Sequence, residues 1–281
     1  MRVSVWVASS STPDSVQLSC LYPNDTAREG METDQRIDVY LVCNARYHDT
    51  NFARLELLKL LAENEDINTR VASDFSDTQA IQASRLLVTY TCDLRPTVEQ
   101  QSALAEFLHQ GGRWFALHAT NALLGFAEGG KVDTPDLAPD FMKLLGSRFI
   151  AHPASQRIAI RVADRHHPLT EGIDDFEVED EEPYYCEALG EQKVLLEAAY
   201  NERSEGYVRS DYGTDRDTHP QMYLHPWGRG EVLYLSLGHC AGKHDLKPLI
   251  DIVPVARGSW NSPVYHELLR RGIRWGIGAL D

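Results

Sequence analysis

The sequence predicts an α/β protein built on a mostly parallel sheet with helices on both faces. Three observations carry this expectation: continuous β-rich apolar runs, amphipathic helical segments between them, and helix caps that can be read residue by residue. Strands covered on both sides lose polar alternation and become apolar runs. Strands that alternate with helices join through right-handed crossovers into a parallel sheet.

Residues 1–36 are rich in Ser, Thr, Pro, Asp and Asn after a brief strand-like VSVWVA, and read as an N-terminal extension. The domain proper is expected over 37–281, with no repeat or linker to divide it. IDVYLVC is its first strand, and TNFARLELLKLLAEN is a helix with Phe52, Leu55, Leu58 and Leu61 at helical spacing. INTRVAS and RLLVTYT follow as strands. Thr97 and Gln100 have capping-box spacing, so a helix runs to Gln110 and stops at Gly111 and Gly112. RWFALHAT is the next buried strand, followed by a mixed loop over 125–139 and a short helix ending at Gly146. Residues 156–163, 193–200, 219–224 and 231–237 are further strand candidates, and YLHPWGRGEV resembles a hairpin. Ser262 and Pro263 open a final helix that should dock on the sheet.

The 281 residues carry 27 Lys and Arg against 42 Asp and Glu, a formal charge of −15. That argues against nucleic acid as a partner. A hydrophobic share of 43% with 25% charged residues matches a globular protein able to bury a sizeable core. No run is long and apolar enough to span a membrane, and the N-terminal apolar run is too short for a secretory signal, so a cytoplasmic protein is expected. Cys20, Cys43, Cys92, Cys186 and Cys240 are scattered without a CxxC pair, which fits reduced thiols.

Ligand crevices of parallel sheets form beyond the carboxyl ends of the strands. His48, His118 and His239 each fall just past such an end. Three imidazoles at one mouth could hold zinc or another divalent metal, act as acids and bases, or simply cap strand ends. In DFEVEDEEPYY, Glu182 and Tyr184 are candidates for handling protons or binding metal or substrate, whereas Asp180 reads as solvated. Asp49 and Asn121 could orient the imidazoles or bind hydroxyls, although helix capping is the commoner use of these residues. His152 is a further substrate-binding candidate, set against a structural turn role that it shares with His166. Trp227, near His225, offers a sugar-stacking face or a core ring. There is no GxSxG, GxxxxGK[ST], GxGxxG or HExxH pattern, so nucleotide and flavin cofactors lack support.

GGRWFALHATN, HHPLTEGIDDFEVEDEEPYY, HPWGRGEVLYLSLGH and RYHD together resemble the signatures of the trehalose-utilisation (ThuA-like) family, across roughly 37–277. The resemblance implies the flavodoxin-like sheet of class I glutamine amidotransferases, and a role in catabolism of disaccharides or their keto derivatives. The matching positions are His48, Asp49, His118, Glu182, Tyr184 and His239. One departure stands out: amidotransferases place a nucleophilic Cys in the turn after the strand corresponding to RWFAL, and here that turn begins His118, Ala119, Thr120. Glutamine hydrolysis through a thioester is therefore not expected.

The leading expectation is an enzyme acting on a sugar or keto-sugar, in which His48, His118 and His239 hold a metal or act as acid and base. Glu182 and Tyr184 would then handle protons and hydroxyls. Its rivals are a non-catalytic sugar-binding or regulatory protein that kept the scaffold, and a hydrolase of another small polar substrate using metal-activated water. A homo-oligomer is compatible with all three. The extension, the 125–139 loop and the polar insert over 201–218 are places where the choice of substrate could change.

Overall fold

A computed structural model describes residues 36–280, and the strand expected at VSVWVA lies outside the described residues. The first apolar run forms β1 (Ile37–Ala45), which hands over to α1 (Thr50–Ala62) at Asp49, whose carboxylate accepts from the Phe52 amide at 3.1 Å. Next come β2 (Ile67–Ala72), α2 (Thr78–Ala83), β3 (Leu86–Cys92) and α3 (Val98–His109). The capping box forms in both directions, Gln100 N to Thr97 Oγ1 at 3.3 Å and Thr97 N to Gln100 Oε1 at 2.9 Å. α2 escapes the sequence reading because six residues with one buried side chain carry too little periodicity.

β4 (Arg113–Leu117) ends three residues earlier than RWFALHAT suggests. His118 takes φ +47°, a left-handed conformation that breaks the strand and opens a 3₁₀ turn over His118–Asn121. Beyond it lie a small ribbon of β5 (Gly125–Phe126) and β6 (Val132–Asp133), then α4 (Pro139–Leu145) and β7 (Ser147–Ala151). β8 (Gln156–Val162), β9 (Phe176–Glu181), β10 (Tyr185–Ala188) and β11 (Lys193–Ala198) follow. β12 (His219–Trp227) and β13 (Gly230–Leu235) form the expected hairpin, and α5 (Pro263–Ile277) closes the fold.

Among the described residues the main sheet has nine strands, in the order β2-β1-β3-β4-β13-β12-β11-β8-β9. Its parallel block, β2 to β13, has the 2-1-3-4-5 order of flavodoxin-like sheets, and antiparallel strands extend it from β12 onward. One face packs against Leu57 and Leu60 of α1 and Leu268 and Ile273 of α5. The other packs against Ile81 of α2, Leu104 and Phe107 of α3, and Phe141 of α4. Each such side chain contributes about 1.5–3 kcal/mol by leaving water. At Gly272 of α5 a Cβ would lie 2.3 Å from the Phe115 ring, so glycine there lets the helix sit directly on β4.

The carboxyl ends of β1, β3, β4 and β13 share one edge of the sheet. His48, Cys92, His118 and His239 sit at or just past those ends.

Candidate metal centre

His48 follows β1 through a tight turn in which Tyr47 takes φ +70°. Its ring Nδ1 donates to the Arg46 carbonyl at 2.8 Å. His118 follows β4 in its own left-handed conformation, and its Nδ1 donates to the Ser236 carbonyl at 2.8 Å. Both rings thus spend one nitrogen on the backbone and present Nε2 to the crevice. The two Nε2 atoms stand 2.9 Å apart. Lone pairs at that distance repel unless a cation lies between them, either a proton or a metal ion.

Glu182 enters from the end of β9. Its carboxylate lies 3.5 Å from His118 Nε2, 3.9 Å from His48 Nε2 and 3.2 Å from His239 Nδ1. His239 Nδ1 is buried without a hydrogen-bond partner among the described residues, since its approach to Glu182 is not aligned as one. The preceding residue, Glu181, is fully buried and does different work. Its carboxylate accepts from the amides of Gly238 at 3.0 Å, His239 at 2.9 Å and Ser259 at 3.2 Å, and from the Ser259 hydroxyl. Glu181 thereby ties the β9 end that carries Glu182 to the loop that carries His239.

Tyr184 donates from its hydroxyl to His118 Nε2 at 3.1 Å and stacks on the His118 ring at 4.8 Å between centroids. Burial, reinforced by Glu182, holds its phenol well above the usual range, so it stays a donor. Burial alone would raise Glu182. The charges of His152 and His239 and the hydrogen bond to His118 outweigh it, and Glu182 is held well below the ordinary carboxylate range. Burial also pushes His48 down, but Cys92 and Glu182 beside it reverse the sign and hold it well above an ordinary imidazole. His118 is lowered, chiefly by burial. Without metal, the proton between the two rings therefore belongs to His48, and its N–H and the Tyr184 hydroxyl share the single Nε2 lone pair of His118.

The donor atoms of His48, His118, Glu182 and His239 all lie within 4.8 Å of one another. Ligand atoms around one tetrahedral ion with bonds near 2.0–2.2 Å sit roughly 3.3–3.6 Å apart, so the set fits a single divalent ion. Imidazole with carboxylate suits zinc and neighbouring first-row metals. The unpartnered Nδ1 of His239 is the atom that such an ion would satisfy.

The centre forms the polar end of a cavity of about 450 Å³. His152 also lines it, with Nε2 3.5 Å from Glu182 and Nδ1 donating to the Pro153 carbonyl at 2.7 Å. Asp49, expected to orient an imidazole or bind hydroxyls, instead caps α1 and pairs with Arg257 at 3.1 Å. Asn121, another hydroxyl-binding candidate, is fully buried behind the site, donating to Ser147 at 2.7 Å and accepting from Tyr234 at 2.9 Å. Trp227, the candidate stacking face, pairs with Gly230 at the opposite end of the sheet, where β4 begins. It packs against the core there and takes no part in the cavity.

Sequence reasoning offers Glu181 only as one carboxylate of the acidic cluster beside Tyr184, and it misses Cys92 and Tyr47. Cys92 ends β3 and lines the cavity beside His48, while Tyr47, within RYHD, lines it with a buried hydroxyl that lacks a partner. Strand alternation from the buried Val178 would turn Glu181 outward, and it is the left-handed Asp180, φ +50°, that breaks the alternation and sends Glu181 inside, a local backbone change that residue type does not announce. Burial pushes the thiols of Cys43 up to about 12 and Cys240 up to about 11, so neither supplies a thiolate at neutral pH.

The sequence matches the family model for trehalose utilisation, ThuA, over residues 39–250. No curated protein matches it. Among solved structures, a ThuA-like protein from Bacteroides uniformis is 17% identical, with TM-score 0.59 over 90% of this chain and 95% of that one. A ThuA-like protein from Parabacteroides merdae is 16% identical, with TM-score 0.56 over 86% of this chain and 90% of that one. A β-galactosidase from a Rahnella species is 13% identical with TM-score 0.54, and the likeness covers 88% of this chain but 32% of the enzyme. At these identities the structural likeness speaks for the fold. The family model spans most of the sequence, and the chain belongs to the trehalose-utilisation (ThuA) family.

Proposed function

We propose that this protein is a metal-dependent enzyme of carbohydrate metabolism that acts on a sugar or keto-sugar. The observation that carries the reading is the pair of facing Nε2 atoms, fixed by their backbone carbonyls and joined by Glu182 and the unpartnered His239 Nδ1. A bound divalent ion would polarise a carbonyl or hydroxyl oxygen of the sugar as a Lewis acid. Zinc is the reference ion for such a donor set.

The chain's own groups divide the remaining work. Tyr184 has one hydroxyl hydrogen, now directed at His118 Nε2, and can turn it to a sugar oxygen instead. His152 reaches the cavity with a nitrogen not committed to the backbone, which suits it to carry a proton between substrate and solvent. A sugar that fills the partly apolar cavity would displace its water and strengthen each of these interactions.

The test is turnover of trehalose, other disaccharides and their 3-keto forms. The reading expects turnover by the native protein and its loss in His118→Ala, with His152→Ala and Tyr184→Phe lowered about 10²-fold or more. Sugar binding without turnover in the native protein would favour the non-catalytic alternative instead.

A further inference from the structure

The cavity has two chemically different ends. Its inner end carries His48, His152, Glu182, Tyr184 and His239, whereas its outer wall is built from Phe126, Leu246, Leu249, Val253 and Val255. Phe126, Leu249 and Val255 are 46%, 49% and 57% exposed, a large apolar area left open to water at the mouth. The wall belongs to the site and is held there. The segment that carries Leu246 to Val255 is closed at its base by two backbone bonds between Ala241 and Ala256, at 3.1 and 2.9 Å, just after His239. A third bond, from Val253 N to Lys243 O at 3.1 Å, braces it.

A disaccharide carries hydroxyls along both rings, and each one placed against this wall would lose its water without a replacement partner, which disfavours binding. Apart from the histidines, Glu182, Cys92, Tyr47, Tyr184 and Tyr207, the polar side chains on the lining are Ser155 and Asp180. Building on the carbohydrate reading above, we propose that the substrate is an amphiphilic glycoside. Its single sugar or keto-sugar head meets the histidine end, and an aromatic or alkyl aglycone lies against Phe126, Leu249 and Val255. Tyr47, a lining residue whose hydroxyl has no partner among the described residues, offers the head a further hydrogen bond.

The test is calorimetric binding to the full chain of three probes: 4-nitrophenyl β-D-glucopyranoside, trehalose, and 4-nitroanisole, which has no sugar. The aryl glucoside should bind most tightly. Phe126→Ser with Val255→Ser, both at exposed positions, should reduce its advantage over trehalose about tenfold, with cooperative melting retained. Trehalose binding as tightly as the aryl glucoside would overturn the aglycone proposal while leaving the carbohydrate reading standing. 4-Nitroanisole binding as tightly as the glucoside would overturn the sugar half of both. A stable dimer that the double substitution dissociates would also overturn the proposal, because a second copy of the chain would then own the apolar wall.

Discussion

His48 and His118 aim their Nε2 atoms at each other across 2.9 Å, and each has given its other nitrogen to a main-chain carbonyl, Arg46 for one and Ser236 for the other. Seventy residues of sequence separate them, and a shared cation is the condition for that geometry. Replacing either ring removes half of the bridge. His48→Ala or His118→Ala should lower metal affinity by more than the roughly 10–100-fold seen when only an outer hydrogen-bond partner of a ligand is lost. Titration with zinc against a chromogenic chelator reads this directly, and an unchanged affinity in both variants would contradict it.

Acidity should compete with the metal. His48 is held above an ordinary imidazole, so the metal-free centre carries a proton at neutral pH, and binding must expel it. Affinity should therefore weaken as pH falls, by about tenfold per unit for each proton displaced. Calorimetry in buffers of different ionisation enthalpy should count about one proton released near neutrality. A pH-independent affinity between about pH 6 and 8 would count against a ligand role for the pair.

Glu181 makes a different prediction from its neighbour. Glu181→Gln keeps the shape and one acceptor oxygen but puts an NH₂ in place of the other, so either the His239 amide or those of Gly238 and Ser259 meet a donor instead of an acceptor. The expected cost is about 3 kcal/mol, or roughly 6–12 °C in melting temperature. Glu182→Gln, by contrast, should spare stability and weaken metal binding. Equal melting of Glu181→Gln and the parent would show that the latch carries no weight.

Gly238 precedes His239 at φ +124°, and a Cβ there would stand 2.3 Å from the Tyr265 hydroxyl. Gly238→Ala should cost about 1–3 kcal/mol in backbone strain, with the steric contact added to it. Combining it with Tyr265→Phe removes the clashing oxygen and should recover part of the loss, leaving the strain. No recovery in the double variant, measured by denaturant unfolding, would place the whole effect in the backbone.

Much of this architecture was legible because its signals are local. The apolar runs gave β1, β3 and β4, Thr97 and Gln100 gave α3, and the register of strand ends brought His48, His118 and His239 together at one edge. β7, β9 and β10 were not legible, since short strands with charged or mixed faces pair through contacts distant in sequence. The two carbonyls that orient the imidazoles belong to Arg46 and Ser236, and a main-chain acceptor leaves no trace in residue type. Asp49, Asn121 and Trp227 are residue types suited to ligands, and the fold uses them in a helix cap, a buried hydrogen-bond network and a hairpin, so for Asp49 and Trp227 the commoner structural use weighed in the sequence is the one observed. The apolar wall over Leu246–Val255 was likewise hidden, because a loop without periodicity does not reveal which side chains will face a cavity.

The most direct measurement is elemental analysis of protein purified without a histidine tag, paired with melting before and after chelation. The account predicts close to one divalent metal per chain, and a melting temperature that falls on chelation and returns on adding zinc, as ligation of the folded state requires. A metal content near zero, with melting indifferent to both chelator and zinc, would contradict it.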